Sequence, residues 1–415
     1  MSQGTAPTAS AGIEPPKRFP AEPLPVAGGM RLIGRLLGVA PAPSADEFRR
    51  LGELLYAGDP EMDELVEWML EAGVAATKPL FQRALTEGIA AVPDAPEPLR
   101  AFFATYETLP DWVEPEKLAL AAQVMRCGGA DGLYIARDVA LIGGYQYSGF
   151  NQTLLRTGAL EKGSNARFAE TSQWALDVIH PDELRPLGRG YRSTLHVRFI
   201  HSMVRRHVEA MPDWDDHEWG LPINQTDMAA TLVGALVAPS VGGIGMGLIN
   251  RPREYEAVAH LTRYVGWLMG VRDDLLPHSF RDALRILIHT SSALAIPDET
   301  SKLLARPMAD DPRQWHYDRA PQLHRRIARS QHLSITAGFL GPRAMRTLGL
   351  NPFVLPWYPA LRLPINLMRS IAKLRPGGLT LAAERGAAES EVFMRTMAGD
   401  PVAIGDSAHV AHHAA

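Results

Sequence analysis

The chain has 415 residues, 46% of them hydrophobic and 21% charged, with a formal net charge of −4. These proportions belong to a globular protein with a substantial core. Neither the total charge nor any local run suggests a nucleic-acid binder. The one cysteine, Cys127, excludes a disulfide framework, a multi-cysteine metal or iron–sulfur site and the CxxCH attachment of a c-type haem. Within Arg126-Cys127-Gly128-Gly129 it reads as a small hydrophobe at a helix end rather than a thiolate ligand.

The first 28 residues are rich in Pro, Ala, Gly and Ser and read as disordered. They lack a charged segment followed by an apolar one, and they lack a twin arginine, which predicts a cytoplasmic protein. The chain divides into a disordered or extended leader (1–45), one helical domain (46–398) and a disordered tail (399–415). Apolar residues recur at three- and four-residue spacing over 46–56 and 62–75, and again from 116 to 127. A glycine-rich connection then leads into Ile142-Gly143-Gly144-Tyr145. Two strong helices follow at 165–178 and 191–210; the second stops at Met211-Pro212.

Residues 229–249 carry no charge and approach the length of a membrane span. Pro239 and the pair Gly242-Gly243 instead favour a small-residue helix buried in a large core, close to a flat cofactor. Further helices are predicted at 254–269, 279–294 and 322–333. The segment 352–367 is apolar and proline-rich; it either packs on the core, which we favour, or shelters a substrate or touches a membrane surface. No run of alternating β-branched residues is long enough for a sheet, so the fold class is all-α.

On the 191–210 helix, Val197, His201, Val204 and Val208 fall at i, i+4, i+7 and i+11, an apolar stripe interrupted by one imidazole. Such a histidine stays neutral at a desolvation cost or finds a partner. An axial iron bond satisfies it, but so does an ordinary core hydrogen bond, and periodicity by itself favours the latter. His196, His201 and His207 are spaced by five and six residues, unlike a HExxH zinc site, and no Glu-x-x-His pair supports a di-iron bundle. Arg167, Thr171, Trp174 and Val178 share one face of the preceding helix, with Glu170 beside them. They describe either a plain amphipathic boundary or a distal wall whose donors face bound dioxygen.

Arg167-x-x-Glu170-Thr171, followed by His201 within Val197–Arg205 and by Trp219-Gly220-Leu221-Pro222-Ile223-Asn224-Gln225-Thr226-Asp227, resembles the latex-clearing-protein and MpaB family of haem-dependent oxygenases. The resemblance covers roughly residues 100 to 295. It implies a large helical domain with a globin-related core and additional helices. It also implies haem b with His201 as the proximal iron ligand, and Arg167 and Thr171 in the distal pocket. Rubber-cleaving members of that family carry a lysine, able to close off the iron at rest, where this chain has Glu170. A glutamate there either abstracts a proton from an allylic carbon or pairs with Arg167.

The function expected on this basis is oxidation or oxidative cleavage of a small apolar, unsaturated isoprenoid- or lipid-like substrate by dioxygen. Two alternatives stand beside it: a non-catalytic haem protein that senses or carries a diatomic gas, and a cofactor-free helical protein. The expected partners are the substrate and dioxygen, with no nucleic acid and no transmembrane span, and with peripheral membrane contact left open.

Overall fold

A computed structural model describes residues 14–400 together with 402 and 404. The described residues fold as helices joined by short loops, with no strand among them, so the all-α expectation holds. Most predicted segments appear within a few residues of their expected bounds, including Pro60–Glu71, Pro115–Arg126, Ser164–Val178, Arg189–Glu209, Pro252–Leu268 and Phe280–Leu294, whereas the helix expected at 322–333 runs on over Pro321–Thr347 with a kink at Gly341.

Three further stretches depart from expectation. In the predicted leader, Gly28–Leu36 is a helix, and Arg18 is buried against Asp227 at 2.7 Å and the Trp219 carbonyl at 2.6 Å. Composition alone misses this, because the ordering comes from a partner 209 residues away. Residues 1–13 and most of the predicted tail lie outside the described residues; Val402 and Ile404 pack against the core. The uncharged segment does not form one long helix. Gln225–Leu236 and Ala238–Gly245 meet at a 44° bend, and no single helix among the described residues is long and apolar enough to cross a membrane. The proline-rich segment is helical over Trp357–Ala372, with Pro359 in its first turn and Pro364 inside.

The interior comprises two main apolar clusters. One gathers Phe81, Phe103, Phe199, Leu232 and Tyr264; the other gathers Tyr145, Phe168, Met308, Trp315 and Phe393. The Ser164–Val178 helix spans both, with Phe168 in the second cluster and Trp174 and Val178 in the first.

The Arg189–Glu209 helix crosses it antiparallel. A Cβ on Gly190 would stand 2.7 Å from the Asp177 carbonyl oxygen, so only glycine lets the backbones approach there. One turn further, Trp174 Nε1 donates to Thr194 Oγ1 at 3.1 Å.

The same helix is fastened to Pro60–Glu71 by buried charge. Arg198 makes a bidentate pair with Asp59 at 2.6 and 2.7 Å, and reaches Glu61 at 3.1 Å. Ser202 donates to Asp63 at 2.6 Å, and Arg205 pairs with the same carboxylate. Arg198, Ser202 and Arg205 stand at i, i+4 and i+7, opposite Asp59 and Asp63 at i and i+4, so two helical periods match. Gly270 closes over the Arg198–Asp59 pair with φ 80; a Cβ there would lie 2.3 Å from the carboxylate.

Breaking a buried pair strands a charge. Asp59→Ala is expected to cost about 3–5 kcal/mol in stability, whereas Asp59→Leu with Arg198→Met restores most of it. Urea denaturation of the single and double variants measures both.

Candidate active site

The crossing at Trp174 and Thr194 sets the site's geometry. Arg167 lies seven residues before Trp174 and His201 seven residues after Thr194. Each is therefore about 10 Å from the crossing along its own helix, on the same side of it. At that level the helices take different partners: Phe168 packs with Met308 and Trp315, and Phe199 with Phe81.

His201 is half-buried, and its Nδ1 is enclosed with no hydrogen-bond partner. Of the expected stripe, Val204 and Val208 are buried and Val197 is half-buried. Burial, helped by the nearby Arg205 cation, pushes the imidazole pKa down to about 4, so the ring is neutral near pH 7. A neutral ring has a lone pair to offer. Arg205, one turn further on, donates to the Ile223 carbonyl at 2.9 Å and so ties the His201 helix to the start of the uncharged helix.

That start is itself locked. Asn224 caps it by accepting from Asp227 N at 2.9 Å, and Gln225 donates to the carbonyls of Gly58 and Gly270 at 2.8 and 2.9 Å. The Pro222–Asp227 segment thus works as a joint between helices.

Farther along, Thr231 is exposed within a helix whose neighbours are mostly buried, and a Cβ added at Gly234 would meet nothing within 4 Å. Open space next to small residues is what a flat group lying against this helix requires. Among the described residues no group of three or more His, Cys, Asp or Glu could hold a bare metal ion. A single neutral imidazole with an unpartnered ring nitrogen instead fits a metal carried by a planar cofactor. Cys127 does not compete: burial raises its pKa to about 11, and the thiol donates to the Gln123 carbonyl.

On the facing helix Arg167 is half-buried. One terminal nitrogen donates to the Tyr145 hydroxyl at 3.2 Å, while its Nε is enclosed without a partner. Thr171 is exposed and donates to the Arg167 carbonyl at 3.0 Å. Glu170 pairs with Lys162 at 2.7 Å, a partner absent from the sequence reading, which weighed only Arg167. Arg198 and Arg205, on the same helix as His201, are bound by Asp59 and Asp63.

Behind Arg167 lies a buried polar network that sequence reading passed over as a glycine-rich connection. It begins on a π-helical turn, Ala136–Leu141, a distortion that often accompanies functional sites. Arg137 and Asp138 are both fully buried and paired at 2.6 Å, and His332 Nδ1 lies 2.6 Å from Asp138. Asp311 accepts from Ser164 at 2.8 Å and feels the charges of Arg137 and Arg167. The adjacent charges Arg137-Asp138 amid apolar residues were the available signal.

A cavity of about 110 Å³ borders the Ser164–Val178 and Gln225–Leu236 helices, and none of Arg167, Glu170, Thr171 and His201 lines it. Its walls include Leu133, Ala136, Ala175, Leu176 and Ala235. Ala175 and Ala235 stand one turn beyond Thr171 and Thr231 on their helices. The volume is below the ~150 Å³ that admits a benzene ring, so it suits an aliphatic chain rather than a macrocycle.

A solved structure described as latex clearing protein in the closed state shares this architecture, with a TM-score of 0.51 and 18% identity over 83% of this chain and 90% of that one. The likeness defines the fold class, the helical fold of that protein. Residues 134–374 match the family described as ER-bound oxygenase mpaB/B'/rubber oxygenase, catalytic domain. That span is more than half of the chain and contains Arg167, Glu170, Thr171 and His201; the chain belongs to this oxygenase family. No curated protein matches it.

Burial raises the Asp311 carboxyl to about 6, against 3.8 in an unfolded chain. Between those values the folded state holds a proton that the unfolded state has released, so the Asp311 contribution to stability falls as pH rises through this window. Asp311→Asn is expected to remove that part of the pH dependence, read from denaturation midpoints at pH 4 and pH 7.

Proposed function

We propose that this chain is a haem b-dependent oxygenase that uses dioxygen to oxidise or cleave an apolar, unsaturated isoprenoid- or lipid-like molecule. The observation that carries this reading is the His201 imidazole: neutral, unpartnered at Nδ1, and on the helix that packs against the one bearing Arg167 and Thr171. His201 would hold the haem iron. When bound, haem supplies oxygen and one-electron chemistry that no side chain here offers.

The remaining residues bind and orient. Arg167 is the site's cationic donor, with its terminal nitrogen on Tyr145 and its Nε free for a polar ligand. Thr171 spends its proton on the Arg167 carbonyl, so in this conformation it presents oxygen lone pairs. Glu170 is engaged by Lys162 at the edge of the site, and proton abstraction from an allylic carbon would require that pair to open. Glu170→Gln is expected to keep turnover and its pH profile; an altered profile assigns Glu170 the role of base.

The largely apolar cavity beside Ala175 and Ala235 favours an enzyme over a gas carrier, which has no use for a substrate channel. Purified protein is expected to show a Soret band that His201→Ala abolishes while the far-UV circular dichroism is kept. Colourless protein that reconstitutes no haem overturns the reading. Oxygen consumption with a panel of unsaturated lipids separates enzyme from carrier.

A further inference from the structure

The Trp357–Ala372 helix is inside out. Its polar residues point inward: Tyr358, Arg362 and Asn366 all bond the buried Asp131, at 2.9, 2.6 and 2.8 Å. Arg369 pairs with Glu389 at 2.8 Å, and Lys373, just past the helix end, pairs with Glu254 at 2.9 Å. These anchors recur at helical spacing, so they fix the rotation of the helix about its axis.

The opposite face is apolar and bare. Trp357, Leu361, Pro364, Met368 and Ile371 stand at i, i+4, i+7, i+11 and i+14. Leu361, Met368 and Ile371 are 55%, 64% and 63% exposed, and Phe353 in the preceding loop is 85% exposed. The stripe continues onto the neighbouring helix. There Ser330 accepts from Trp357 Nε1 at 3.2 Å, and Ile327 and Leu323 lie one and two turns away, both exposed. A contiguous surface of this kind marks an interaction site.

Charge selects the occupant. Residues 319–383 contain ten Lys and Arg and not one Asp or Glu, in a chain whose net charge is −4. Arg319, Arg326, Arg343, Arg346 and Arg375 are exposed and form no ion pair among the described residues. A second copy docking through this face would set like charges against each other. An anionic phospholipid surface supplies apolar depth and opposite charge together. An exposed tryptophan at one end of the stripe suits the interface as well.

We infer that this chain docks on anionic membrane surfaces through the outward face of Trp357–Ala372, with Phe353 and the Ile327 stripe beside it. The helix lies in the interface plane and does not cross the bilayer. Arg369, Ser370 and Lys373 also line the mouth of the narrow cavity, next to the partly exposed Ile249. The docked helix is therefore one wall of that cavity, with its apolar face to the lipid and its polar face to the cavity. The docking stands on the surface alone; a role for the cavity in taking substrate rests on the proposed oxygenase reading.

The test is flotation of the full-length protein with vesicles of phosphatidylcholine, with and without 30% phosphatidylserine. The protein is expected to float with the anionic vesicles, and binding should fall steeply between ~0.05 and ~0.5 M salt. Leu361→Ser with Met368→Ser is expected to weaken binding by roughly tenfold or more. Both residues are exposed, so the variant should keep its circular dichroism and thermal midpoint. Arg343→Glu with Arg375→Glu is expected to abolish the preference for anionic lipid while the apolar face stays intact. Failure to float overturns the inference. So does a dimer in vesicle-free solution that the Leu361/Met368 variant dissociates. A missing Soret band with intact flotation sinks the oxygenase reading and leaves the docking standing.

Discussion

The site depends on the buried ion-pair ladder that joins the Arg189–Glu209 helix to Pro60–Glu71. A helix held only by apolar contacts can rotate or slide by small amounts at little cost. Three polar side chains bonded to two carboxylates, all on matching helical periods, remove that freedom. His201 lies between Arg198 and Arg205 in sequence, three and four residues from each, so the ladder sets the direction in which its ring points. The ladder also explains why a helix rich in arginine can sit deep in the protein: each inward guanidinium has a carboxylate partner.

A second constraint works on the opposite wall. The Ser164–Val178 helix is pinned at one end by Gly190 and the Trp174–Thr194 bond, and at the other by Phe168 in the second apolar cluster. Arg167 stands beside Phe168 of the second cluster and inherits the electrostatics of the network behind it, from Tyr145 to Asp311 and Arg137. Small residues at Gly132, Ala136 and Ala235 line the cavity that borders the Ser164–Val178 helix.

The outer surface inverts the usual amphipathic logic. Trp357–Ala372 turns its arginines and asparagine to Asp131 and Glu389 and its leucines to solvent. From composition the segment read as core packing, since apolar residues at helical spacing bury their apolar side in most proteins. Asp131 reverses that outcome, because a buried carboxylate draws the polar face inward. With Glu254 and Glu389 anchoring its far end, carboxylates distant in sequence decide which way a whole helix faces.

Helical segments were legible because apolar periodicity and proline stops are local properties of the chain. The His201 stripe was legible for the same reason, and the spacing of Arg167, Thr171 and His201 carried the family. Other features depend on partners that sequence distance hides. Lys162 beside Glu170, Asp59 and Asp63 under Arg198 and Arg205, and His332 against Asp138 are contacts of this kind. The burial of Arg18 and the orientation of Trp357–Ala372 follow the same rule. The sequence by itself determined which residues lie on one face of one helix; the tertiary structure decided what each face meets, because burial and charge pairing are relations between elements and not properties of any one of them.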